Sequence, residues 1–232
     1  MRFERYAVYY TPPPGPLAAF GAAWLGWDPA EGRCVAQPAV PGLPRPVEVI
    51  TETPRRYGLH ATVKPPFSLA RDHTAEALDA ALAAFCAQQP PVTLAGLEIA
   101  RLGGFLALVP HGETAALNAM AAGAVRALDA FRAPPDEAEL DRRRAAGLSP
   151  GQEALLVRWG YPYVMEEFRF HITLTGKLPR TDREAVHAAL APRLAPILPA
   201  PFVVDGLSLM GEDTDGYFHL LRSHAFSGVS AG

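Results

Sequence analysis

Apolar positions change period several times along the chain, and each change marks an element. Arg5 to Tyr10 (RYAVYY) is a strand-like run, stopped by Pro12-Pro13-Pro14. Leu17 to Leu25 has the spacing of a short helix. Residues 28–54 are rich in Pro and Gly, hold no sustained period and read as a long loop. Leu59 to Phe67 predicts a strand that Pro65-Pro66 ends. Thr74 to Gln88 predicts a helix with Leu78, Leu82 and Phe85 on one face. Strands are expected at 92–99 and 104–109, with Gly103-Gly104 as the turn between them. Glu113 to Phe131 reads as a helix broken by Pro134-Pro135, followed by helices over Asp136–Ala146 and Gly151–Trp159. Gly160-Tyr161-Pro162-Tyr163 is a turn into a strand at 167–175, then a helix over Asp182–Leu194 and strands at 202–209 and 217–222.

The order strand, helix, strand, strand therefore occurs twice. The first copy covers about 1–111, linking helices about 112–159, and the second copy about 160–225. Short strand-to-strand links make the sheet antiparallel and the class α+β. The copies also agree residue by residue. His60-Ala61-Thr62 and His171-Ile172-Thr173 each have an aromatic residue three positions before the histidine (Tyr57, Phe168) and an apolar residue after the threonine (Val63, Leu174). Downstream, Val92-Thr93-Leu94-Ala95-Gly96-Leu97 matches Phe202-Val203-Val204-Asp205-Gly206-Leu207.

Residues two apart on a strand share a face, so each histidine lies beside its own threonine. If the copies pack about a pseudo-two-fold axis, both faces line one cleft. Histidine titrates near pH 6.5, so one ring can be neutral while the other is protonated. Such a pair suits in-line phosphoester cleavage: the neutral ring takes a proton from water and the protonated ring gives one to the leaving oxygen. Threonine hydroxyls can donate to the non-bridging phosphate oxygens. This chemistry needs no metal.

Composition narrows the setting. The chain has 232 residues, 49% hydrophobic and 19% charged, which are globular values. A net charge of −3 gives no general pull on nucleic acid or anionic membrane, so long nucleic acid is not an expected partner and any phosphate site must be local. The two cysteines, Cys34 and Cys86, are not at metal or redox spacing. The first residues have no signal-peptide core and no apolar run approaches a membrane span, so a cytoplasmic setting is expected.

The paired His-x-Thr motifs and their surroundings, Pro54–Phe67 and Trp159–Gly176, resemble the two-histidine (2H) phosphoesterase superfamily, LigT-like cyclic phosphodiesterases, in a branch associated with phosphonate-metabolism operons. The resemblance runs from Arg5 to about Arg222. It implies a single domain with a bilobed, duplicated fold: two pseudo-symmetric antiparallel sheets, helices outside and a central cleft. It implies His60 and His171 as the catalytic pair, Thr62 and Thr173 as phosphate ligands, and no cofactor. The substrate class is a small cyclic phosphate, either a nucleoside 2′,3′-cyclic phosphate or a ribose cyclic phosphate. A non-catalytic nucleotide or RNA-end binding module and an RNA-processing phosphoesterase or ligase are the alternatives.

Several neighbours are further candidates. Lys64 follows Thr62 by two and Arg169 precedes His171 by two, on the motif faces. Arg55 and Arg56 crowd the first motif, and cations there can hold phosphate. Tyr161 and Tyr163 are placed to stack on a base or sugar, and Thr175 continues the second alternation. Arg142-Arg143-Arg144, balanced by Asp136, Glu137, Glu139 and Asp141, reads as a solvated charged helix. The remaining histidines, with His219 a weaker candidate, read as structural or exposed. The oligomeric state, and whether residues 28–54 gate the site, are not set by the sequence.

Overall fold

Alternation in the first strand, β1 (Arg5–Tyr10), becomes the layering of the whole molecule. In the computed structural model, which describes residues 2–229, Tyr6, Val8 and Tyr10 enter the main core, while Ala7 and Tyr9 face the other way and pack with Met210 and Phe218. The chain continues through α1 (Pro16–Leu25), β2 (Trp27–Asp28), β3 (Arg33–Cys34), α2 (Val47–Ile50), α3 (Glu52–Arg55), β4 (Ala61–Phe67) and α4 (Ala75–Ala87). Then come β5 (Val92–Leu94), β6 (Gly96–Leu102), β7 (Phe105–His111), α5 (Ala115–Ala127), α6 (Glu137–Arg144) and α7 (Pro150–Trp159). Last are β8 (Ile172–Thr173), α8 (Arg180–Leu194), β9 (Phe202–Val204), β10 (Gly206–Glu212) and β11 (Phe218–Ala225). No helix among the described residues is long and apolar enough to cross a membrane.

The class is α+β. The two expected antiparallel sheets are joined into one of seven strands, ordered β11–β10–β1–β4–β8–β7–β6. The join is a single ladder pair, Ala61 with Ile172, between the two motif strands. The lobes are not the sequence halves. β8 of the second copy pairs with the β6–β7 hairpin of the first, and β4 reaches the β10–β11 hairpin of the second through β1. The helices follow: α4 packs on β10 and β11, and α8 on β7. A small ribbon, β5 with β9, also crosses between copies.

Three local expectations change. β4 does not stop at Pro65-Pro66. Tyr6 pairs with Phe67 and Val8 with Lys64, so Pro65 and Pro66 of β4 oppose Ala7 of β1, and this bulge absorbs prolines that have no N–H for the ladder. Residues 28–54 are not a free loop. They hold α2 and α3 and are pinned by Arg55, which donates to Leu25 O, Gln37 Oε1 and Glu48 O at 3.1, 3.1 and 2.6 Å. The second motif strand is two residues rather than 167–175. Beyond it, the Thr175 hydroxyl accepts the Leu106 N–H at 3.0 Å in place of a backbone carbonyl, and the indole of Trp24 donates to Leu174 O at 2.8 Å.

Lys64 is buried, with its ammonium 3.2 Å from Asp129, which also accepts from Arg132 at 2.9 Å. Burial lowers the Lys64 pKa to about 8, with Asp129 opposing the shift. Burial alone would raise the Asp129 carboxyl, but hydrogen bonds from Arg132 and the Lys64 charge hold it below its usual range. Removing Asp129 leaves the buried Lys64 ammonium without a partner, whereas removing Lys64 leaves Asp129 still paired with Arg132. Asp129→Ala should therefore lose about 3–5 kcal/mol in urea denaturation, and Lys64→Met clearly less. Equal losses would show that the pair is not the unit.

Candidate active site

The Ala61–Ile172 pair decides where the chemistry sits. Both side chains are fully buried in the main core, so their sequence neighbours point to the opposite face. Antiparallel register then sets His60 opposite Thr173 and Thr62 opposite His171. The histidines are diagonal neighbours, roughly 7 Å apart at Cβ, which leaves room for a phosphoryl group between them. His60, Thr62 and Thr173 line a cleft of about 400 Å³; His171 is not in that lining and meets it through the Phe105 ring, 5.8 Å away. A larger cavity of about 630 Å³, between Pro12–Pro14, α1 and β10–β11, contains neither motif histidine; its own His224 is bonded to Asp79.

Neither histidine is in regular strand; each precedes one, and the two are held alike. His60 Nδ1 lies 2.9 Å from Gly58 O and His171 Nδ1 2.7 Å from Arg169 O. A carbonyl only accepts, so Nδ1 carries the proton in both rings and Nε2 is left for chemistry. In His60 that Nε2 is 3.2 Å from Thr62 Oγ1, whose hydroxyl donates to it. The Tyr9 ring stacks on His60 at 4.0 Å and 26°, opposite Thr62 in the ladder, and Tyr57 adds a tilted contact at 5.7 Å. Burial lowers the His60 pKa to about 4; the Gly58 carbonyl opposes this and His171 adds to it. His60 is thus a neutral base at ordinary pH. Tyr9, buried in the same layer, has its phenol pushed well above the usual range by burial.

The other candidates divide. Tyr161 lines the cleft, but the Arg143 guanidinium covers its ring at 4.8 Å. Tyr163 is 43% exposed and meets Tyr161 edge-on outside the cleft lining. Lys64 is turned to Asp129. Arg169 is exposed and spends its guanidinium on Glu166 O and Phe168 O at 2.8 and 2.7 Å. Arg56 donates to Tyr57 Oη at 2.8 Å and is also exposed. Thr175 borders the cleft, but its hydroxyl serves Leu106 N and Gly176 O. His219 is bonded to Asp213 at 2.7 Å, outside the cleft lining. From residues 28–54 only Thr53 and Pro54 reach the lining.

Sequence reasoning missed Arg5, Tyr9, Arg143 and Lys177, all of which line the cleft. Tyr9 and Arg5 were readable in part, since Arg5, Ala7 and Tyr9 alternate on one face of β1. Arg143 carried no such signal. Among the described residues no group of three or more His, Cys, Asp or Glu converges as a metal site.

Fold and site define an α+β protein whose cleft is built from two antiparallel His-x-Thr motifs. The chain belongs to the family described as a protein of unknown function (DUF1045), whose profile matches residues 62–219. It is similar to ribose 1,5-bisphosphate phosphokinase PhnN of Janthinobacterium sp. (strain Marseille), 40% identical over 218 residues, covering 91% of this chain and 48% of that protein. It is 38% identical over 220 residues to the PhnN of Laribacter hongkongensis (strain HLHK9), covering 94% of this chain and 51% of that one. The chain thus spans about half the length of these curated relatives. Among solved structures it aligns with E. coli LigT complexed with NADP+, at 15% identity and a TM-score of 0.44 over 98% of this chain and 99% of that one. At these values the likeness says nothing of chemistry.

The low His60 pKa has a measurable sign. The unfolded chain takes up this proton near pH 6.5 and the folded chain only near pH 4, so between them the unfolded state binds more protons. The His60 contribution should make stability fall by on the order of 2 kcal/mol as pH drops from 6.5 to 4. In urea denaturation, His60→Gln should lose less over that window than the natural chain. Equal losses would mean that His60 titrates at its ordinary value.

Proposed function

We propose that this protein is a metal-independent phosphodiesterase that hydrolyses a small cyclic phosphate by paired-histidine acid–base catalysis. One observation carries the reading: the two His-x-Thr motifs meet antiparallel about a single ladder pair, with both Nδ1 atoms tied to carbonyls. The His-x-Thr resemblance supports the same reaction class.

Neutral His60 is the base. Its Nε2 takes a proton from water once the Thr62 hydroxyl turns from the ring to a non-bridging phosphate oxygen. The water oxygen bonds to phosphorus, and the opposite ester bond breaks. The leaving oxygen takes a proton from Nε2 of His171, and both rings regain their starting states through solvent. Thr173 holds the second non-bridging oxygen. Each histidine supplies about 10²–10⁴-fold by acid–base catalysis, and the threonines stabilise the charge that develops on phosphorus oxygens.

The curated relatives' names favour the ribose branch of substrates, since there a region like this chain is joined to another of similar length under a ribose bisphosphate name. This chain has no G-x-x-x-x-G-K-[ST] run.

Purified protein in EDTA should open a ribose cyclic phosphate or a nucleoside 2′,3′-cyclic phosphate. His60→Ala and His171→Ala should each lose about 10²–10⁴-fold in kcat. The acid limb of kcat/KM should lie near pH 4, set by His60. Activity that needs added metal, or that persists in the double variant, would sink the mechanism.

A further inference from the structure

We propose that the Arg5–Arg143 end of the cleft is a second oxyanion subsite, which takes a terminal phosphate on a cyclic-phosphate substrate that has no nucleobase. This rests on the phosphodiesterase reading above and names its substrate more closely.

The starting point is the run Arg142-Arg143-Arg144. The fold separates its members. Arg144 is surrounded by Glu137, Asp141 and Glu153, and Arg142 is exposed. Arg143 alone turns into the cleft, flat on Tyr161, with Nη2 fixed by Glu139 at 2.8 Å. Its Nε is buried and has no hydrogen-bond partner. Glu139 engages Nη2, so Nη1 remains to meet a ligand oxygen.

Arg5 completes the pair. Glu212 accepts from its Nε and Nη2, which leaves the Nη1 side free. Arg5 lies four residues from Tyr9 on the same face of β1, about 13 Å along the strand, and both line the cleft. Each guanidinium is thus held by one carboxylate with donors to spare, an arrangement suited to the planar fork recognition of phosphate. The lining itself has one sign. Arg5, Arg143 and Lys177 border the cleft, and among the described residues no carboxylate, Glu139 and Glu212 included, does. On a chain of net charge −3 this is a local anion site.

The aromatic rings argue against a base. Tyr161 is covered by Arg143, Tyr57 carries Phe218 and Arg56, Tyr9 stacks on His60, and Phe105 is turned against His171. These contacts leave a base less ring area than unpartnered aromatics would. About 400 Å³ is near the lower end of ligand clefts and suits a phosphosugar.

The test compares ribose 1,2-cyclic phosphate with and without a phosphate on O5. The wild type should prefer the O5-phosphorylated compound by about 10- to 100-fold in kcat/KM, the worth of charge-assisted hydrogen bonds. That ratio should collapse in Arg143→Gln, shrink in Arg143→Lys, and stay as it is in Arg142→Gln, the same charge change on the exposed side. Calorimetric binding of ribose 5-phosphate to wild type and Arg143→Gln reads the subsite without chemistry. Equal turnover of both compounds overturns the subsite and leaves the phosphodiesterase standing. Turnover of a nucleoside 2′,3′-cyclic phosphate alone overturns the subsite and leaves the phosphodiesterase standing; turnover of none of the three defeats the phosphodiesterase, and the subsite then survives if ribose 5-phosphate binds with dependence on Arg143 and is overturned if it does not bind.

Discussion

Everything at the site depends on one backbone pairing, that of Ala61 with Ile172. Two small facts fix it. Both side chains are apolar and fully buried, and each is flanked on both sides by a polar motif residue. A slip of one residue would turn Ala61 or Ile172 out of the core and drive a histidine and a threonine into it. Burial of two hydrophobic side chains thus holds four polar ones in register. Because the pair is the middle of two copies of the same triplet, it also generates the local two-fold relation that puts a histidine at each end of one phosphate-sized space.

The two halves of that space are nevertheless unequal. His60 is stacked on buried Tyr9 and its Nε2 is engaged by Thr62, whereas His171 lies against Phe105 on the cleft wall. Desolvation acts on the first ring and holds it neutral. A duplicated motif gives two equivalent groups; the surrounding aromatic layer makes them unequal. β1 is the source of this inequality, since it inserts between β4 and β10, whereas β8 pairs with β7 directly.

Elements and motif faces were legible because they rest on local period. Arg5–Tyr10, Thr74–Gln88 and the Gly103-Gly104 turn needed no knowledge of partners. The exchange of hairpins between copies was not legible, because two similar repeats show the same pattern whether each pairs with itself or with the other. Lys64 sits on the expected strand, yet its fate was set by Asp129, 65 residues away. Thr175 kept the expected alternation but was used by the backbone of β7, since β8 is too short to satisfy Leu106. Arg143 was hidden among three arginines that differ only in which direction a helix turns them.

The exchange of hairpins has a consequence for how the chain reaches its fold. The β6–β7 hairpin emerges early in synthesis but has its sheet neighbour, β8, more than sixty residues later. α4 likewise must wait for β10 and β11. Neither copy holds the partners of its own apolar faces, so neither is an independent folding unit. Closing such long loops is slow and precedes the contacts that reward it. The nascent first half therefore exposes an open hairpin edge until β8 is made, which makes that interval the period of greatest exposure to aggregation.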